Sequence, residues 1–154
     1  MSNDVFLKID GITGESQDAE HSGEIEVTNW TWRMSQRSSM MSGSGGGTAK
    51  ATVEDLVIFH ELDRASPNLM SYCLTGKHVP KAILTMRKAG GVPLDFFRIT
   101  MFDVIVTAVE MSSSYEQIRL SFASVRQEYI VQNALGGSRG VITGTFDIKA
   151  NATV

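Results

Sequence analysis

The side chains of this 154-residue sequence that could do chemistry are few and scattered: three histidines (His21, His60 and His78), a lone cysteine (Cys73), paired carboxylates such as Glu24 and Glu26, and a glycine-rich tract at Gly43–Lys50. Metal-binding histidines on one element sit at tight spacing, such as i and i+4 on a helix. Here they fall in separate segments and read as structural or surface residues. Cys73 falls on the inward side of a predicted helix, the place of an inert packed thiol. Glu24 and Glu26 alternate with apolar residues and read as a solvated strand face, and no carboxylate stands in an apolar context that marks an acid of raised pKa. A phosphate-cradling loop needs Gly-Lys-Ser/Thr before a helix. In this chain Lys50 follows Ala49 and leads into ATVEDLVIF, which reads as a strand. A dinucleotide fingerprint fails as well, with Thr48 at its third glycine position. No catalytic residue, cofactor or metal site is expected.

Trp30 and Trp32 could offer a stacking platform, but Trp-x-Trp followed by Met34 on one strand face reads better as core packing. Thr31, Arg33 and Ser35 then point the other way, toward water, cargo or a partner subunit.

The elements that carry these residues read as strands separated by glycine turns, with one short helix. Val5–Ile9 alternates and ends at Asp10-Gly11. Glu24–Met41 reads as one long strand whose parity changes, with Ile25 and Val27 on one face and Trp30, Trp32 and Met34 on the other. A period-2 strand cannot bury both sets on one side, so a bulge or bend is predicted near Thr28–Asn29. Thr52–Phe59 is the next strand. Ser66 reads as an N-cap with Pro67 at the first helical position; Leu69, Tyr72 and Cys73 form the buried stripe and Gly76 the stop. His78 then lies beside the negative helix end as a cation or surface residue. Ala82–Lys88 turns at Gly90-Gly91 and returns as Leu94–Val109, apolar on both parities from Ile99 onward. In Tyr115–Val131 parity switches again, between Ile118, Leu120 and Phe122 and the pair Val125 and Tyr129. Val141–Ala150 alternates, with Ile142, Phe146 and Ile148 inward. Bent strands plus alternation favour a closed or nearly closed antiparallel barrel, one domain over residues 1–154.

Apolar content is 42% and net charge −3, with acids and bases interspersed. That disfavours a nucleic-acid surface, which needs clustered cations. No run reaches the roughly 18 apolar residues of a membrane span, so no membrane insertion is expected. Asp4 and Lys8 bracket only VFL, so no signal-peptide core is read, and export would act on the folded protein.

Stretches spread along the chain resemble the haemolysin-coregulated protein (Hcp) family of the bacterial type VI secretion system. They are FLKIDGI followed by GES at Phe6–Ser16, EIEV and W-T-W within Glu24–Trp32, SGSGGGTAK, SPNL at Ser66–Leu69, TGKHVPKAILTMRKAGG at Thr75–Gly91, and SFASVRQEY, VQN and GTFDIKAN. The resemblance implies a mainly β fold, an antiparallel two-sheet β-barrel with one flanking α-helix, assembling into a hexameric ring. It implies rings stacked into a tube within a contractile sheath, a valine–glycine repeat spike protein at the tip, and small effector cargo chaperoned in the lumen. It further implies a protein cytoplasmic before firing and secreted afterwards. By position, Thr31 lies on the family's lumen-facing strand, with Arg33 and Ser35 sharing its exposure by alternation. The loop of Ser42, Gly43, Ser44, Gly45, Gly46, Gly47, Thr48 and Lys50 matches the family's projecting loop, implied to contact an adjoining subunit or ring.

Two departures stand out. MSSSYEQ at Met111–Gln117 replaces a glycine-rich, acidic insertion common in the family. Arg33 and Arg37 stand where small or neutral residues are frequent, which in a lumen favours acidic cargo. The alternatives are a prophage-derived tail-tube protein and a secreted effector with its own enzymatic activity. Against the latter, the chain stops at Val154 just after the last strand, with no room expected for a toxin domain.

Overall fold

A computed structural model describes residues 3–37, 50–88, 93–132 and 138–153. The described residues form β1 (Asn3–Ile9), β2 (Ile25–Glu26), β3 (Asn29–Thr31), β4 (Met34–Gln36), β5 (Ala51–Val53), β6 (Leu56–Glu61), α1 (Ser66–Thr75), β7 (Val79–Lys88), β8 (Leu94–Ser112), β9 (Tyr115–Gln132) and β10 (Ser138–Asp147). One eight-stranded antiparallel sheet runs β2-β1-β7-β8-β9-β6-β3, with β10 beside β9, while β4 and β5 pair as a separate ribbon. The long β9 offers one edge to β8 along its length; its other edge serves β6 first and β10 afterwards.

Over its described part, residues 24–37, the predicted long strand Glu24–Met41 is three short ones. The bend expected near Thr28 is real: the Val27 N–H donates to Val5 and the Thr28 N–H to Phe59. The chain thereby leaves one end of the sheet and joins the other, so the curled sheet has end strands that are neighbours in sequence. Thr52–Phe59 is likewise broken, at Glu54–Asp55, where β5 gives way to β6.

The sheet curls by a crease. Val79 pairs with Val104 and Val104 with Phe122, all buried; Ala82, Met101 and Val125 form another buried row. Between them, on adjacent strands, lie Pro80–Lys81, Phe102–Asp103 and Ala123–Ser124, none of them buried. Inward residues are therefore three apart on every one of these strands, and the face turned to the core changes parity along one line. Asp103 carries a left-handed φ of 54° on this line. This is the parity switch read in Tyr115–Val131, and it explains why β8 is apolar on both parities.

The core gathers Leu7, Ile9, Ile25, Leu56, Ile58, Leu69, Leu84, Ile99, Met101, Ile118 and Leu120 under the curl. Helix α1 packs against β8 through Leu69, with Tyr72 and Cys73 half-buried at the core's rim. Ser66 lies inside the helix rather than capping it. The N-cap is Ala65, which makes no side-chain cap bond. Just ahead of it the Asp63 carboxylate accepts the Ala65 N–H at 2.8 Å while Ser66 Oγ accepts the Asp63 N–H at 3.1 Å, and a carboxylate there suits the positive helix end. Gly76, at φ 65°, closes the helix in the left-handed conformation that favours glycine.

Candidate functional site

Thr31, on β3 opposite Val57, is exposed. Arg33 lies between β3 and β4, its Nε 3.4 Å from Glu54 Oε2, with both side chains largely in water. Such a pair holds little energy, leaving the guanidinium free to exchange partners. Ser35, opposite Thr52 on the ribbon, is exposed, as are Arg37 and Lys50. The three proposed contact residues thus lie along one polar stretch. The loop residues Ser42, Gly43, Ser44, Gly45, Gly46, Gly47 and Thr48 lie outside the described residues.

The reverse side is apolar. Trp32 packs edge-on against Phe122, centroids 5.8 Å apart, and its indole N–H donates to the Glu54 carbonyl at 2.9 Å. Met34, expected in the core, is 51% exposed. It borders a cavity of about 410 Å³ with Trp32, Val53, Val125 and Phe146. Beyond Phe146 the same face of the sheet continues through Gly144 to Ile142, paired with Tyr129, which is paired with Phe97. Ile142, expected inward, is 66% exposed. Parity aims it at the core side, but no described residue is stacked over that end of the sheet, and a Cβ placed on Gly144 would meet open space.

The histidines do not meet one another, yet each has found carboxylates. His60 and Glu116 are fully buried, Nε2 to Oε1 2.7 Å. His60 Nδ1 and Glu116 Oε2 lack hydrogen-bond partners. Sealed from solvent, the pair cannot reach a substrate and acts in the core. Sequence reasoning passed over it, although a signal was there: His60 shares parity with Leu56 and Ile58, and Glu116 with Ile118 and Leu120. His78 lies at the surface, its Nδ1 2.7 Å from Asp103 Oδ1, with Lys149 Nζ 3.5 Å from the other oxygen. His78 foremost, then Lys149, hold the Asp103 carboxyl below its usual range.

The third histidine anchors an ionic cluster where β1, β7 and β8 meet. Arg87, 7% exposed, donates two 2.7 Å bonds to Asp18 and one of 3.2 Å to Asp4, its guanidinium lying over the Phe6 ring. The bond from Arg87 lowers Asp18 to about 2, and Asp18 in turn raises Arg87. Asp18 also accepts the N–H groups of Glu20 and His21. His21 stacks on Phe6 at 4.4 Å, with Nδ1 2.9 Å from Glu24 and Nε2 3.1 Å from Asp95. Burial of the ring opposes its protonation, but Asp95 and Glu24 outweigh it and the net shift is upward. Glu24 is therefore a half-buried partner of His21, not the solvated strand face its alternation suggested.

A family model described as "Type VI secretion system effector, Hcp" matches residues 6–129. The chain is 42% identical over 147 residues to Protein hcp1 of Pseudomonas aeruginosa, covering 91% of each. Among solved structures, Hcp1 from Salmonella typhimurium superposes with a TM-score of 0.83 at 46% identity over all of both chains. A type VI secretion system effector from Yersinia pestis gives 0.77 at 40% identity, covering 94% of this chain and 99% of that one.

Proposed function

The chain belongs to the Hcp family of the type VI secretion system, and on that premise we propose that it is a tube subunit in which the curled sheet acts as a closed two-sheet barrel wall. Copies join head to tail into a hexameric ring, a heterologous contact that closes after a fixed rotation. Rings stack inside a contractile sheath beneath a valine–glycine repeat spike protein. The ring forms in the cytoplasm and is secreted with a small effector in its lumen. Thr31, Arg33 and Ser35 face that lumen, and Arg33 and Arg37 favour acidic cargo. The arm of Ser42–Lys50 reaches an adjoining subunit or ring. This reading gives the chain no enzymatic step.

The observation that carries it is the uncovered apolar face. Tyr129 and Ile142, paired on that face of the sheet, are 43% and 66% exposed, and Met34 on the β4–β5 ribbon is 51% exposed. Such a surface is a liability in a free monomer and an asset in an assembly. Native mass spectrometry at two concentrations tests it. A particle of six times the 16.8 kDa chain is expected at both, with dissociation in Ile142→Asp. A monomer at both concentrations removes the ring, and a hexamer untouched by Ile142→Asp moves the contact elsewhere.

A further inference from the structure

The ionic cluster at the β1–β7–β8 end has a surplus that packing does not require. His21 Nδ1 faces Glu24 Oε2 at 2.9 Å, and Nε2 faces Asp95 Oδ1 at 3.1 Å. A neutral imidazole carries one N–H, so with Nδ1–H given to Glu24 the Nε2 lone pair confronts a carboxylate oxygen. Two acceptors at that separation need a cation between them, either a proton on Nε2 or a metal ion. A proton is satisfied by Asp95 alone. The third group converging here, the exposed carboxylate of Glu20, has no part in holding a proton. Yet one ligand atom each from Glu20, His21 and Asp95 lie within 4.8 Å of one another.

The geometry points to a divalent transition-metal site formed by Glu20, His21 and Asp95, with zinc the best-suited ion. The imidazole disfavours calcium and magnesium, which take oxygen donors, whereas one nitrogen and two carboxylate oxygens suit zinc with an open position remaining. His21 Nδ1–H bonded to Glu24 is the outer contact that fixes tautomer and ring direction in such sites. Phe6 holds the ring flat, with an interplanar angle of 10°. The backbone that presents Glu20 and His21 is fixed because Asp18 accepts both N–H groups while gripped by Arg87. Asp95 is placed by the bulge in β8: Met86 pairs with Phe97 but Arg87 with Asp95, leaving Phe96 as the extra residue. The charge balance also fits a cation. Glu20, Glu24 and Asp95 surround one imidazole, and the nearest guanidinium, Arg87, is occupied by Asp18 and Asp4. Glu20 has only to swing inward from solvent.

The test is titration of the chelator-stripped full chain with Zn²⁺ by calorimetry and with Co²⁺ by visible absorption. Histidine ring nitrogens are followed by ¹⁵N NMR with and without Zn²⁺. One equivalent per chain is expected, with the His21 Nε2 signal moving to a metal-bound position while Nδ1 keeps its proton. Glu20→Gln and Asp95→Asn should each weaken binding at least about tenfold, and Glu24→Gln by about 10–100-fold at unchanged stoichiometry. Glu20→Gln is decisive because an exposed side chain can be changed without unfolding the chain. No saturable binding, wild-type affinity in Glu20→Gln and Asp95→Asn, or a metal signal on His78 in place of His21 overturns the site. So does a proton that stays on His21 Nε2 at saturating Zn²⁺. None of these readouts depends on ring formation.

Discussion

Replacing Asp18 by Ala strips the buried Arg87 of both 2.7 Å acceptors and leaves it only Asp4. The denaturation midpoint should fall, with little change in denaturant slope because the surface exposed on unfolding is unchanged. The pH dependence follows from the same contact. Asp18 titrates near 2 in the fold against 3.8 as a free side chain, so the unfolded chain takes up its proton first as acid is added. Its contribution to stability is complete above the unfolded value and drains away as pH falls through 3.8 toward 2. Urea melts of wild type and Asp18→Ala should therefore converge over that acid window. A difference that persists unchanged there means that Arg87 is not the cause. The His60–Glu116 pair makes a second case. His60→Leu leaves a buried carboxylate without its partner and should cost about 3–5 kcal/mol, whereas His60→Leu with Glu116→Leu should recover most of that loss. Equilibrium unfolding of single and double variants decides it. Neither ionic group was legible as a group in the sequence. Alternation says which side a residue faces, but nothing local joins His60 to Glu116 across 56 positions, or Arg87 to Asp18 across 69.

At the scale of elements, β1, β8 and β9 could be read from their apolar patterning and glycine turns to within a few residues, whereas β7 starts at Val79, three residues before the Ala82 expected, because the crease shifts its inward residues to Val79 and Ala82. Around the tryptophans the bend near Thr28 was legible, but the change of strand partners was not. The residues there have strand character throughout, but the chain changes partners at Val27–Thr28 and again after Thr31, and partner choice is not written in period-2 patterning. The polar row of Thr31, Arg33 and Ser35 was legible as exposed, since alternation alone gives that. The apolar groove on the reverse was not, since Met34 reads as core on parity alone. The helix starts at Ser66, one residue before the Pro67 expected, because the Ser66 hydroxyl is turned back to the Asp63 N–H instead of capping the helix. Gly14 offers a sharp test of how the strap before β2 is seated. A Cβ there would stand 2.5 Å from the Glu24 carbonyl oxygen and 2.8 Å from Ile25 Cα. Gly14→Ala must push back the backbone that carries Glu24, at a cost of about 1–3 kcal/mol, and should loosen the contact to His21. Thermal melts read the first effect, and a shift in the His21 ring signals reads the second. Unchanged values for both would mean that the strap is not held by this close approach.

Taken whole, the sheet apart from β10 is two pieces that complete each other. Residues up to Glu61 make an arc, β1-β2 continuing into β3-β6, whose outer edges are β1 and β6. Residues from Val79 to Gln132 make a meander, β7-β8-β9, whose outer edges are β7 and β9, and these pair with β1 and β6 respectively. Cutting the chain after Arg64 and expressing both pieces should give fragments that are disordered apart and regain the β-sheet circular dichroism signal when mixed. Folding of either fragment alone would show that the edges are not mutually dependent.

The shared segment from Ile25 to Thr31 also has a consequence in time. It leaves the ribosome early and ties the two ends of the arc together, yet the β6 edge of the arc stays open until β9 has been synthesised. Joining distant stretches last makes assembly slow and leaves unpaired edges exposed on the growing chain. Nascent chains therefore carry an unpaired edge through most of their length. Late truncations before β9 should appear as aggregates, not as smaller soluble proteins.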